Sequence, residues 1–181
     1  IVLPELEHTL AAEFAIVAAE AASYHEARFS RAPDRIGDDV RGLLETGLLL
    51  PASLYLRAQR TRRAVQQAVA DAFATRHLDA LLAPTVPASP QGCDQVEYEF
   101  ESGTEPVIDA LVRTTAPFNL TGLPTVAVPT GLGPSGFPGS VQIAGRPFDE
   151  ATALRLARAI ERAAGRHGWP RAVELALANP I

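Results

Sequence analysis

Apolar residues at Leu6, Leu10, Phe14, Val17, Ala21 and Tyr24 recur three and four positions apart, the spacing of one face of an α-helix. They predict a helix from Pro4 to about Phe29, whose alanine-rich body lets a neighbour approach closely. Pro33-Asp34 breaks the chain, and a short helix follows from Asp38 to Thr46, ended by Gly47. Pro51 stands where a first helical turn accepts proline. From there a long helix is expected to about Arg76, with Ala58, Val65, Val69 and Phe73 inward and arginines outward.

The period then changes. Asp79-Ala80-Leu81-Leu82-Ala83 is a short apolar run without alternation, stopped by Pro84, and predicts a strand buried on both faces. A proline-studded loop runs through Pro90, and residues 91–104 are polar and irregular. Glu105 to about Thr114 reads as a modest helix, and Pro117 and Pro124 bracket a loop. Thr125–Val128 and Gly139–Ala144 read as two further strands. Asp149 caps a helix to about Ala164 with Leu154, Leu156 and Ile160 apolar and Gly165 near its end, and Trp169-Pro170 begins a last short helix. Strands set between long helices indicate an α/β layered architecture. Three short strands are a thin sheet for this much apolar helix surface, so further strands are expected on another part of the polypeptide.

Composition narrows the function. The net charge of −5 over 181 residues gives no basic stripe for nucleic acid. The longest apolar runs fall far short of the roughly 20 residues of a membrane span. Neither nucleic acid nor membrane is therefore expected as a partner. Cys93 is alone, which excludes a disulfide within the chain, fits a reducing cytoplasm, and reads as a bystander thiol. All 16 basic residues are arginine, which stays protonated and cannot act as a general base. The chain opens on Ile1 and has no methionine, so a fragment, a processed chain or part of a longer polypeptide is expected.

Several motifs begin and fail. Gly131, Gly133 and Gly136 spell G-x-G-x-x-G after a strand, but Pro138 and the alternating Val141–Ile143 replace the helix that would receive a pyrophosphate. Gly133-Pro134-Ser135-Gly136-Phe137 misses the last glycine of a nucleophile elbow. His25-Glu26-Ala27-Arg28-Phe29 supplies half of a zinc-binding H-E-x-x-H. His8, His25, His77 and His167 are scattered, and the arginines at 57, 60, 62 and 63 read as a solvated helix face rather than an anion site. Asp94, Glu97, Glu99 and Glu101 read as solvated loop acids rather than a cation site. No metal or cofactor is expected.

Taken together and in order, several strings resemble the C-terminal part of the amidase signature family. Glu20-Ala21-Ala22-Ser23-Tyr24-His25 is similar to its EA-x-x-x-H helix, and Tyr55 to Arg60 to the later Y-x-x-A helix. Leu78-Asp79-Ala80-Leu81-Leu82-Ala83-Pro84-Thr85-Val86-Pro87 resembles the D-x-L-L-x-P-T-x-P strand and loop. Thr115-Ala116-Pro117-Phe118-Asn119-Leu120-Thr121-Gly122-Leu123-Pro124 with its following Val126–Pro129 is the most specific string, matching T-x-P-x-N-x-x-G-L-P. Phe137 to Gly145 resembles L-P-x-G-x-Q-x-x-G.

The resemblance implies an α/β/α layered fold with a mixed central sheet, in which residues 1–181 form the C-terminal portion of one domain and the glycine run is a turn between adjacent strands. It implies amide hydrolysis by a serine, a second serine in a cis peptide and a neutral lysine, all in the family's N-terminal half. This chain has no lysine and no glycine- and serine-rich catalytic string, so no catalytic residue is carried over. Thr85, Thr115, Phe118 and Asn119 are the residues it brings near the acyl pocket. Members serving tRNA amidation carry an aspartate where this chain has Val112, which favours a less polar amide. The implied partners are a small-molecule amide and the N-terminal half, on the same or a separate chain; homo-oligomerisation stays open. The alternatives are a noncatalytic scaffold with the same fold, and a self-contained hydrolase using His25 or Ser135.

Overall fold

The computed structural model describes residues 1–88, 92, 94–133 and 136–165. Cys93, Ser135, His167 and the helix expected at Trp169-Pro170 lie outside the described residues. The chain divides into two compact units, Ile1–Asp71 and Ala72–Ile181.

The first unit is helical. After a 3-10 turn at Pro4–His8, α1 runs Thr9–Arg31, α2 Asp38–Leu49 and α3 Ala52–Thr75, the last turn of α3 belonging to the second unit. The periodicity of α3 is borne out, since Ala58, Val65, Val69 and Phe73 are all buried. That of α1 is not. The buried residues are Thr9, Ala12, Ala15, Ile16, Ala18 and Ala22, whereas Phe14 and Val17 are exposed and Tyr24 is 84% exposed.

The cause is close approach. Gly47 does not end α2 but lies inside it, at the point where a β-carbon would fall 2.0 Å from the Ala18 carbonyl oxygen and 2.7 Å from Ala22 Cβ. An alanine-lined face meeting a glycine lets the two backbones come together, so the small residues and not the large ones are buried. Tyr55 of α3 donates its hydroxyl to Glu20 Oε1 of α1 at 3.0 Å and accepts from Gln59 Nε2 at 2.9 Å.

In the second unit, β1 (Ala80–Pro84), β4 (Thr125–Leu132) and β5 (Pro138–Gly145) form an antiparallel sheet in the order β1-β5-β4. Gly133 and Gly136 lie between β4 and β5, which are adjacent antiparallel strands, and Gly131 lies within β4. Both faces of β1 are expected to be buried, yet Leu82 is 63% exposed, because β1 is an edge strand of the described sheet.

Between the sheet strands the chain folds further than its sequence suggests. β2 (Glu97–Phe100) and β3 (Gly103–Pro106) pair as a hairpin in place of the expected irregular segment, followed by α4 (Val107–Val112). On β2, Tyr98 is buried while Glu97 and Glu99 face out, a period of two. Arg113 spans the hairpin, with Nη1 3.4 Å from Glu105 Oε2 and its guanidinium 4.6 Å above the Phe100 ring. α5 (Ala116–Thr121) replaces the expected loop: Pro117 falls in the first turn, where proline is tolerated, and Gly122 at φ 73° ends it.

α6 (Glu150–Ala164) covers β4 and β5. Ala157 and the half-buried Ile160 pack with Val128 and Ile143, and Ala153 is buried, whereas the larger apolar residues Leu154 and Leu156 are exposed. Asp149 caps the helix as expected, accepting from the Thr152 amide at 3.2 Å.

Hydrogen bonds from Thr152 hold the Asp149 carboxyl below its usual range. A depressed folded-state pKa contributes stability that is present above the unfolded value and lost as pH falls through the folded one. Asp149→Asn keeps the cap without the charge. We therefore expect its thermal midpoint to fall less than that of the wild type when melts are taken at successively more acidic pH; parallel curves would refute the assignment.

Candidate functional site

β1 ends at Pro84, and the next amide continues the pairing, with Thr85 N donating to Ser140 O at 3.1 Å. The Thr85 carbonyl accepts the Thr114 hydroxyl at 2.7 Å. Thr114 belongs to the turn between α4 and α5, so the end of β1 and the start of α5 are tied together.

Gln142 of β5 completes this joint. The residue is 2% exposed, and its Nε2 donates to Pro84 O at 2.9 Å and Thr114 O at 2.7 Å. Both amide hydrogens are thus used on two segments that the sequence separates widely. Thr115 Oγ1 donates to Val112 O at 3.0 Å, and the Phe118 and Asn119 amides both donate to Thr115 O, at 3.0 and 3.1 Å. These bonds start α5 and fix where its side chains emerge.

Of the four residues expected at a pocket, Thr85 and Thr115 stand on either side of Thr114. Phe118 is half-buried and Asn119 exposed on α5. Thr85 Oγ1 is buried without a hydrogen-bond partner among the described residues. Beside the joint opens a cleft of about 710 Å³, lined by Val86, Pro87, Tyr98, Leu111 and Phe137 among others. None of Thr85, Thr115, Phe118 or Asn119 lines this cleft; the loop directly after Thr85 does.

The other sequence candidates do not assemble. His8 is exposed, His25 stacks edge-on against Tyr24 with ring centres 4.8 Å apart, and His77 is exposed at φ 51°. Arg57, Arg60 and Arg63 are exposed and Arg62 half-buried. No group of three metal-ligating side chains occurs among the described residues, and no described helix is long and apolar enough to cross a membrane. Gln142 enters the sequence reading only as the glutamine of the L-P-x-G-x-Q-x-x-G string, without a role in the site. The signal available in sequence is a lone amide in an otherwise apolar strand, Val141-Gln142-Ile143-Ala144.

Comparison with known proteins places this architecture. Residues 1–154 match the amidase family. An amidase from Pseudomonas putida is 37% identical over 166 residues, covering 91% of this chain and 35% of that protein. A glutamyl-tRNA(Gln) amidotransferase subunit from Granulibacter bethesdensis is 34% identical over 187 residues, covering 90% of this chain and 36% of that protein. A crystal structure of an amidase superimposes with a TM-score of 0.82 at 31% identity, covering 88% of this chain and 36% of that one.

The chain belongs to the amidase family, and its α/β fold is that of the family's solved members. It spans about a third of the length of these curated relatives.

Proposed function

We propose that residues 1–181 form the C-terminal portion of a single amidase domain, supplying part of its sheet and the wall of its acyl pocket. The whole protein hydrolyses a carboxylic amide to acid and ammonia or amine. The nucleophilic serine, the cis-peptide serine and the neutral lysine lie outside this chain. The observation that carries the reading is the family match over residues 1–154 in a chain without a single lysine. A neutral lysine is the base that activates the nucleophile in this chemistry, and no arginine substitutes for it.

Surface features support the larger domain. Leu82 on the edge strand β1, and Ile108 and Leu49 elsewhere, are apolar side chains left in water, and an unpaired strand edge is a site for further sheet. The Thr85 hydroxyl, buried and without a partner among the described residues, is costly unless something hydrogen-bonds to it, which suits a pocket wall near Thr85, Thr115, Phe118 and Asn119. Val112, half-buried in α4, disfavours a charged amino group there, because an unpaired buried charge is costly. A less polar amide is therefore the substrate class, in a cytoplasmic enzyme that needs no metal or cofactor.

The test compares the 181-residue chain alone with the natural protein that contains it, each given a panel of aliphatic and aryl amides and assayed for released ammonia or amine. The natural protein is expected to turn over an apolar amide and the isolated chain to show none. Turnover by the isolated chain, lost in His25→Ala, would overturn the reading in favour of a self-contained site. A natural protein inactive on the whole panel would point instead to a scaffold that kept the fold.

A further inference from the structure

We propose that Gln142 is a positioning residue that sets the shape of the acyl-pocket wall by clamping the end of β1 to the start of α5; the inference rests on the function proposed above. All four candidate wall residues sit on just two segments. Thr85 follows β1, and Thr115, Phe118 and Asn119 open or occupy α5. Neither segment is long enough to hold its own geometry, since β1 has five residues and α5 six, and so short a helix is marginal by itself.

Gln142 bonds to both. Its two Nε2 donors reach Pro84 O and Thr114 O at 2.9 and 2.7 Å, one residue before Thr85 and one before Thr115. The Thr114 hydroxyl closes the loop onto Thr85 O. The bonds are shielded, with Gln142 2% exposed, so water does not compete for them. The residue itself sits in the middle of the central strand of the described sheet, with Ala83 on one side and Ala127 on the other. A firm strand thus transmits its position to two weak segments through one amide.

Chemistry makes the role specific. Methionine matches the volume of glutamine but carries no donor. Glutamate matches its shape, yet as a carboxylate it faces two carbonyl oxygens with no hydrogen to offer. Burial and those oxygens favour its protonated form, which restores one donor.

The experiment uses the natural protein and the apolar amide it hydrolyses best. Gln142→Met is expected to raise KM about tenfold or more while kcat changes less, since binding geometry rather than the reacting groups is disturbed. In Gln142→Glu the KM defect is expected to shrink as the pH is lowered, a trend absent from the wild type. Hydrogen exchange on Gln142→Met should quicken at the Thr85 amide and at the Phe118 and Asn119 amides together, while the helices α1 and α2 stay unchanged. Unaltered KM in both variants, or faster exchange confined to β5, would overturn the clamp. Should the wild-type protein hydrolyse no amide, the proposed function falls, and the exchange pattern alone still decides whether Gln142 joins the two segments.

Discussion

Gly47→Ala is expected to destabilise the protein by about 3 kcal/mol or more, beyond the usual 1–3 kcal/mol for an overpacked core. The new β-carbon would lie 2.0 Å from the Ala18 oxygen and 2.6 Å from its carbonyl carbon, where carbon and oxygen ordinarily stay about 3.3 Å apart. A β-carbon has no rotamer to escape by, and its neighbour is helix backbone. The only relief is to move α2 away from α1, which opens the contact along the whole alanine face, including the fully buried Ala18.

Gly42 of the same helix supplies the control. Nothing lies within 4 Å of the position its β-carbon would take. Removing a glycine from a helix interior stabilises by roughly 0.5–1 kcal/mol, so Gly42→Ala should raise the urea midpoint while Gly47→Ala lowers it. Two identical chemical changes five residues apart then differ in sign. If both raise the midpoint, α1 and α2 do not meet at Gly47.

That glycine also shows where sequence reading stops. The buried face of α3 is legible because Val65, Val69 and Phe73 are large and recur with the helix period. In α1 and α6 the contact faces are built on alanine, and apolar pattern weights size, so it selects Phe14, Tyr24 and Leu154 on the outer faces instead. Gly47 reads as a stop because glycine commonly ends helices; nothing local distinguishes that use from a close crossing. On β2 the alternation of Glu97, Tyr98, Glu99 and Phe100 is present in sequence but looks like a row of solvated acids. α5 is hidden by Pro117, which breaks a helix inside but begins one at its first turn.

Thr85, Thr115, Phe118 and Asn119 are reached through resemblance, and the structure ties Thr85 to Thr114, the neighbour of Thr115, by one hydrogen bond. What is not legible is that Gln142, visible in sequence only as the glutamine of L-P-x-G-x-Q-x-x-G, joins the two segments. Gln142 lies 58 residues from Pro84 and 28 from Thr114, and hydrogen bonds over such separations leave no periodic trace.

Ile143→Ala should separate stability from pocket geometry on adjacent residues of β5. Ile143 is 1% exposed, stands between Leu82 and Val126 in the sheet, and packs with Val128 and Ala157 while Ala80, Val126 and Ile160 close around it. Truncation to alanine leaves a cavity that the sheet cannot collapse into, for an expected loss of about 2–5 kcal/mol, against about 0.5–1.5 kcal/mol for Ile143→Val. Successive strand residues point to opposite faces, so Ile143 serves the α6 side and Gln142 the side of Pro84 and Thr114. The urea midpoint of Ile143→Ala should therefore drop with an unchanged slope, while KM below the transition stays near that of the wild type. Gln142→Met should do the reverse, changing KM by more than it changes the midpoint. A rise in KM for Ile143→Ala as large as that for Gln142→Met would mean that any loosening of β5 distorts the wall, and that the amide of Gln142 has no separate part in it.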